Sequence, residues 1–291
     1  MRRLRPPLAA TLALGFLLPA AAAAQTAACH PSHDSNEAKL LAFYSAPMAF
    51  SPGGVVAPMP PGAMRIGLEI TYVPTPSLGI QQADECYGLE KRENTELSPV
   101  FPRPRLLIGL PGGFSLDLSY LPPVSVNDAE PHLGSVAVAW THRLGGIGTS
   151  RALDLILRAH GTVGRISGAI TCPEDDLQQT APAQACYGNE PSDDTYKPNM
   201  FGGEVLLGMH GGGRFGGYGG VGVTRLTPRF QVDFQQLDGF HDDTRIIVDM
   251  TRAALMLGGQ LRLTPRFDLT FEAYSVLQDA TTARIGAGFR L

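Results

Sequence analysis

The sequence predicts an all-β protein, an antiparallel up-and-down transmembrane β-barrel of about ten strands, with a range of about eight to twelve. Three observations predict this fold class. Extended segments alternate between apolar and polar residues, the connections between them alternate between short and long, and the last alternating segment runs to the final residue.

The alternation begins at Met64, where Ile66, Leu68 and Ile70 fall on one face of a strand and Arg65 and Glu69 fall on the other. A period of two is typical of strands because successive side chains point to opposite faces. The same pattern recurs over residues 105–110, 114–120, 135–141, 153–160, 204–210, 215–234, 244–263, 267–274 and 284–291.

The connections are sorted by length. Short ones follow Leu110, Leu144, His210 and Leu263, and longer ones cover roughly residues 74–103, 122–132, 169–197 and 235–243. Short turns at one end and long loops at the other are the layout of outer-membrane barrels. A soluble β-sandwich has no reason to sort its loops in this way. The strand count depends on whether residues 225–230, which are repeated at 262–267, also form a turn.

Charged residues gather on the polar faces of the strands, and we expect them to line the lumen. The pattern alone does not show which face points into the barrel. In lipid, however, a barrel must close, and the regular alternation of the last segment is what a closing strand requires. Charges of mixed sign in a narrow lumen should pair with one another. The predicted lumen-lining charges are Arg65, Glu69, Arg105, Asp117, Asp154, Arg158, Glu204, Arg252, Arg262, Asp268, Glu272 and Arg284.

The N-terminal part divides into two segments. Residues 1–24 carry Arg2, Arg3 and Arg5, then an Ala- and Leu-rich stretch and an Ala22-Ala23-Ala24 site, which together predict a secretory signal peptide. Residues 25–62 read as an irregular segment that lies in the periplasm or plugs the lumen, and residues 63–291 as the barrel.

Four cysteines follow the signal peptide, and an even number in an exported protein predicts disulfides. Cys172 and Cys186 share one acidic loop and are the expected pair. Cys29 with Cys86 then follows by elimination. A crossed pairing of Cys86 with Cys186 stays open, because a Cys-Tyr-Gly-x-Glu motif surrounds both residues.

Composition bounds the partners. The formal net charge of −4 argues against nucleic acid. No cofactor is expected, although carboxylates in the long loops could hold Ca²⁺ or Mg²⁺ loosely, the alternative being a solvated acidic surface. These carboxylates are Asp84, Glu85, Glu90, Glu93, Glu96, Glu174, Asp175, Asp176, Glu190, Asp193, Asp194, Asp238, Asp242 and Asp243.

Catalytic signals are sparse. The sequence has no Gly-x-Ser-x-Gly, His-Glu-x-x-His or phosphate-loop motif. His142, His160, His210 and His241 could serve a lipid-modifying barrel enzyme, but their spacing places none beside a nucleophile. We therefore expect no enzymatic activity and no catalytic residues. The barrel enzyme and a soluble secreted β-sandwich are kept as alternatives.

Together with the signal peptide and the loop pattern, the C-terminal strand ending Gly286-Ala287-Gly288-Phe289-Arg290-Leu291 resembles bacterial outer-membrane β-barrel proteins. Members of that group usually end in an aromatic residue, which the barrel-assembly machinery recognises, whereas this chain ends in Leu291. A fainter similarity, at residues 50–54, is to long-chain fatty-acid transporters, which have more strands and an N-terminal plug. The resemblance implies an outer-membrane location, contact with outer-membrane lipid, and a structural or passive small-solute or lipophile transport role. It does not fix the oligomeric state.

Overall fold

The computed structural model describes residues 28–55, 58–86, 100–125, 129–147 and 151–291. The predicted signal peptide lies outside these residues. The elements are α1 (Asn36–Met48), β1 (Met64–Tyr72), β2 (Val100–Gly109), β3 (Phe114–Leu121), β4 (Ala129–Ile147), β5 (Arg151–Gly168), β6 (Asp194–Lys197), β7 (Met200–Gly211), β8 (Phe215–Leu226), β9 (Arg229–Gln231), β10 (Phe234–Gln235), β11 (His241–Asp242), β12 (Arg245–Ile247), β13 (Met250–Arg262), β14 (Phe267–Val276) and β15 (Ala280–Arg290).

Ten strands close into an antiparallel barrel in the order β1-β2-β3-β4-β5-β7-β8-β13-β14-β15, and β15 pairs back onto β1. The closing register runs from Arg65 opposite Arg290 to Tyr72 opposite Ala283. Each of the ten barrel strands therefore has a neighbour on both sides, which is the condition for a β-structure in hydrocarbon. The predicted fold class is therefore confirmed.

The two ends of the barrel differ. The turn end carries the C-terminus and the short connections between β2 and β3, β4 and β5, β7 and β8, and β13 and β14. The loop end carries the longer connections, and there β6, β9 and β12 extend the sheet beyond the upper part of β5. Two predicted segments were wrong in extent: β8 ends at Leu226 and β13 begins at Met250. The first copy of the six-residue repeat breaks its strand, as the second copy does.

The outside of the barrel is apolar and the inside is ionic. On β1, Ile66 and Leu68 are 47% and 50% exposed, whereas Arg65 and Glu69 are buried. The other barrel strands follow the same rule, with exposed Val205, Leu257 and Ile285 among many outward apolar side chains. An apolar belt of this extent belongs in hydrocarbon rather than in water. The inverted orientation that a soluble sandwich would require is excluded.

The segment predicted to be irregular contains a helix, so that prediction was wrong. Helix α1 begins after Ser35, whose hydroxyl accepts a hydrogen bond from the Ala38 N–H, and most of its residues are buried. A helix that is enclosed on all sides has no polar face and therefore no amphipathic period to reveal it. Among the described residues, no helix is long and apolar enough to cross a bilayer.

Candidate functional site: a strapped lumen and an apolar cavity

Residues 28–55, here called the strap, run through the barrel from the loop end toward the turn end. At the loop end, the Cys29 N–H donates to the Arg245 carbonyl (2.7 Å) on β12. At the turn end, the chain that follows the strap meets β2, where the Gly62 N–H donates to the Gly109 carbonyl (2.9 Å). Between these points Phe50 and Ser51 are fully buried. The strap therefore occupies the lumen.

Disulfides fix the loop end. Cys29 pairs with Cys86 of the β1–β2 connection, and Cys172 pairs with Cys186. The crossed pairing is not formed. Helix α1 adds a second attachment, because the Glu37 carboxylate accepts three backbone N–H groups, from Asp84, Glu85 and Cys86, at 3.1, 2.9 and 2.7 Å. The strap and the β1–β2 connection are thus joined both covalently and by hydrogen bonds.

In the middle of the barrel, charged side chains surround the strap. We call this set the ionic layer, and it comprises Glu69, Arg103, Arg105, Asp117, Arg158, Glu204, Glu272 and Arg284. Every member has a partner of opposite charge. Arg105 lies 2.5 Å from Glu69 and also binds Asp117, and Arg158 lies 2.8 Å from Glu204. Buried charges need such pairing to offset their lost hydration.

The arginines of the ionic layer also hold the strap backbone. Arg103 donates to the carbonyls of Met48 (2.9 Å) and Ala49 (3.1 Å). Arg284 donates to Ala49 (2.9 Å). These carbonyls lie at the C-terminal end of α1, where helical carbonyls have no partner within the helix and carry partial negative charge. Guanidinium groups therefore satisfy carbonyls at this buried helix end, and the Thr162 hydroxyl also donates to the Met48 carbonyl (3.2 Å).

The strap then turns through Gly53 and Gly54, whose φ angles are +65° and +83°. The Glu272 carboxylate accepts the Gly53 N–H (3.0 Å), and the Tyr218 hydroxyl accepts the Gly54 N–H (3.1 Å). Phe50 precedes this turn, and its ring lies 4.6 Å from the Arg105 guanidinium carbon and 5.3 Å from those of Arg103 and Arg158. Cation–π contact in a desolvated site is stabilising.

The predicted lumen charges fall mostly inside. Arg252 and Arg262 are partly exposed, and the other ten are buried. Arg65 and Asp268 form a pair at 2.5 Å, below the ionic layer toward the turn end. Sequence reasoning missed Arg103, because the prolines on either side of it interrupt the strand pattern and left it in a predicted loop. The signal that could have found it is its two-residue spacing from Arg105.

The candidate histidines are dispersed. The His210 ring lies 2.5 Å from Asp154 near the turn end, whereas the His241 ring lies 2.8 Å from Asp233 in the loop-end region. The His160 ring lies 3.5 Å from Glu204 in the lumen, and the His142 ring stacks on Trp140. Their partners are carboxylates and an aromatic ring, so the geometry gives no support to a shared hydrolytic site.

One acidic side chain at the loop end, Asp194, stabilises the fold by accepting backbone hydrogen bonds. The Asp194 carboxylate accepts backbone N–H groups of Ile170, Thr171 and Asp233, and burial raises its pKa despite those donors. No group of three or more His, Cys, Asp or Glu is placed to hold a metal ion in the described part of the chain. Glu90, Glu93 and Glu96 lie outside that part, and calcium binding stays a prediction.

An apolar cavity lies between α1 and the barrel wall at the loop end. It is a cavity of about 430 Å³, a size within the range of roughly 300–1,000 Å³ for ligand pockets. Leu40, Leu41, Tyr44 and Met48 of the strap face Phe101, Pro102, Leu121 and Ile166 of the wall and its neighbours. No charged side chain lines the cavity among the described residues.

Comparisons with known proteins give only distant matches. No protein-family model and no curated protein matches the chain. Among solved structures, the outer membrane protease OmpT from Escherichia coli is 11% identical, with a TM-score of 0.41, over 79% of this chain and 93% of that one. The attachment invasion locus protein Ail of Yersinia pestis is 13% identical, with a TM-score of 0.27, over 80% and 100%. The toluene transporter TodX of Pseudomonas putida is 12% identical, with a TM-score of 0.27, over 86% and 71%.

At such values none of the activities in those names transfers to this chain. Its own topology is sufficient for the fold: ten antiparallel strands close on themselves, apolar side chains cover the outside, and paired charges fill the inside. The chain has the fold of a bacterial outer-membrane β-barrel.

Proposed function

We propose that this protein lies in the outer membrane, with its loop end outward, and binds a small uncharged apolar molecule in the cavity beside α1. We propose that its role is the passive transport of lipophilic molecules. The apolar cavity carries this proposal. The apolar belt supports the location, and the sorting of short turns and long loops supports the orientation.

The cavity lining favours a neutral ligand. The Arg103 guanidinium lies close to the cavity, because its carbon is 5.2 Å from the ring of Phe101, which lines the cavity. Its donors are directed to the Met48 and Ala49 carbonyls, and Glu69 lies 3.6 Å away. A carboxylate ligand would therefore lose its hydration without gaining a free cation, which disfavours charged ligands strongly.

A binding experiment tests the proposal. Full-length protein in phosphatidylcholine nanodiscs is equilibrated with tritiated naphthalene, and the counts retained by empty discs are subtracted. We expect saturable binding of one naphthalene per barrel, and at least tenfold weaker binding of 2-naphthoate. Retention equal to that of empty discs would refute the proposal.

Two variants locate the binding. Ala129→Phe fills the cavity from the start of β4 and should weaken naphthalene binding at least fivefold. Ala152→Phe is the matched control, because Ala152 is also half-buried and inward but lies at the turn end. Slower gel migration after boiling verifies that both variants form barrels. Equal binding by the two variants would place any bound naphthalene elsewhere.

A further inference from the structure

The barrel wall is incomplete beside the cavity. Strands β2 and β3 pair only from Leu106 opposite Leu118 to Gly109 opposite Ser115. The upper half of β2 pairs with β1 as far as Val100, and the end of β3 pairs with β4 as far as Leu121. Between those upper halves the ladder is not continued, and we call this unpaired stretch, between Val100–Arg105 of β2 and Ser119–Leu121 of β3, the slot.

Prolines stand at the edge of this slot. The Gly109 N–H donates to Ala63 on the β1 side (2.9 Å), and the Leu110 N–H donates to Phe114 on the β3 side (2.8 Å). The N–H groups of successive residues in a strand point toward opposite neighbouring strands. The backbone nitrogens of residues 102 and 104 therefore point toward β3. Both are proline and have no N–H to donate. Extending the β2–β3 register would place Pro122 opposite Pro102. The local sequence thus removes the N–H donors that β2 would contribute to a longer ladder with β3.

One of these prolines connects two apolar surfaces. Pro104 lines the inner cavity, and it also lines an outer groove of about 1150 Å³ that crosses β1 to β7 on the apolar face. Tyr120, Gly134 and Val163 border this groove. The slot therefore lies between the lumen cavity and the surface that faces hydrocarbon.

We propose that the outer groove, the slot and the cavity form one continuous site, through which an apolar molecule dissolved in the outer leaflet reaches α1. This inference rests on the proposed function and names the source of the ligand. The β1–β2 connection and α1 are joined at the loop end, and the strap is held by the ionic layer below. The slot offers an apolar route between these two attachments. Unpaired backbone in lipid costs several kcal/mol per group, and prolines reduce that cost by removing donors.

Time-resolved photolabelling tests the route. Full-length protein in phosphatidylcholine vesicles is mixed with vesicles that carry a diazirine-bearing hexadecane, and labelled peptides are identified by mass spectrometry at successive times. We expect label first on β2 and β3 at the slot and then on the α1 peptide that contains Leu40 and Leu41. Label on α1 that precedes label at the slot would overturn the route.

Two glycines of β4 provide a matched pair of variants. A Cβ at Gly134 or at Gly145 would meet no atom within 4 Å, so both positions accept a side chain. Gly134→Trp places an indole in the outer groove, whereas Gly145→Trp lies near the turn end. Labelling of α1 should slow at least fivefold in the first variant, with an unchanged plateau, and should be unaffected in the second.

A second variant acts on the slot itself. Replacing Pro102 and Pro104 together by valine restores two N–H donors toward β3, so the ladder can extend and α1 labelling should slow. The outcomes separate the two proposals. If the rate of α1 labelling is unchanged in Gly134→Trp and in the double proline variant, while naphthalene binding is intact, the lateral route is overturned and the cavity function stands. Loss of naphthalene binding in the unmodified protein would instead remove the cavity function.

Discussion

Arg103→Met tests how the strap is held. The substitution keeps a long apolar stem but removes two hydrogen bonds, to Met48 and Ala49 at 2.9 and 3.1 Å. Hydrogen bonds to charged groups contribute about 1.5–3 kcal/mol each. Glu69 keeps Arg105 at 2.5 Å, so no buried carboxylate loses its only partner. The Met48 carbonyl keeps the Thr162 hydroxyl as a donor and the Ala49 carbonyl keeps Arg284, so the net loss should lie at the lower end for two bonds, about 3 kcal/mol.

Hydrogen exchange of α1 amides measures this loss. A change of about 1.4 kcal/mol corresponds to tenfold in an equilibrium constant, so α1 exchange in Arg103→Met should be about a hundredfold faster, while β13 and β14 keep their protection. Arg225→Met is the control, because Arg225 is exposed and has only a weak 3.5 Å bond to Thr251. Exchange of α1 within threefold of the unmodified protein would refute the idea that guanidinium groups hold the strap.

Further predictions concern the same region. Replacing Cys29 and Cys86 together by alanine removes a disulfide with a sequence separation of 57. We expect the free energy of unfolding to fall by about 4 kcal/mol and the amide hydrogens at the start of the strap to exchange faster. Unchanged thermal unfolding would contradict this expectation. Gly54→Ala should cost more stability than Gly62→Ala, because both have positive φ but only the Gly54 Cβ would meet backbone, with the Gly259 carbonyl oxygen at 2.7 Å; equal unfolding midpoints would count against this packing. Tyr196→Phe removes a hydroxyl bonded to Ser45 (2.7 Å) and to the Leu41 carbonyl (3.0 Å), and should lower the free energy of unfolding by about 1–2 kcal/mol, as denaturant titration would show.

Local alternation was enough to predict much of the wall. Ile66 and Glu69 are assigned to opposite faces by the two-residue period, and β1 places them so. The short turn after Leu110 and the closing strand at the C-terminus were also readable, because turn residues and strand periodicity act over a few neighbours. Strand ends were less readable: β8 stops at Leu226 because a Thr-Pro pair follows, and sequence alone left that break open.

The contents of the lumen were decided by tertiary structure. Helix α1 is buried on all sides, so its sequence carries no helical stripe. Arg103 can hold the strap only because β2 places it beside the Met48 and Ala49 carbonyls, which lie more than fifty positions earlier in the chain. The slot beside Pro102 and Pro104 could likewise not be predicted, because it depends on which strand is the neighbour of β2 and in which register the two pair.

The sequence by itself determined the barrel, its apolar outside and its ionic inside, because those follow from side-chain alternation and from the need to close a sheet in hydrocarbon. Only the tertiary structure decided that the N-terminal segment threads the lumen, which charges meet there, and where the wall is open. These features depend on contacts between distant segments, and no local pattern encodes such contacts.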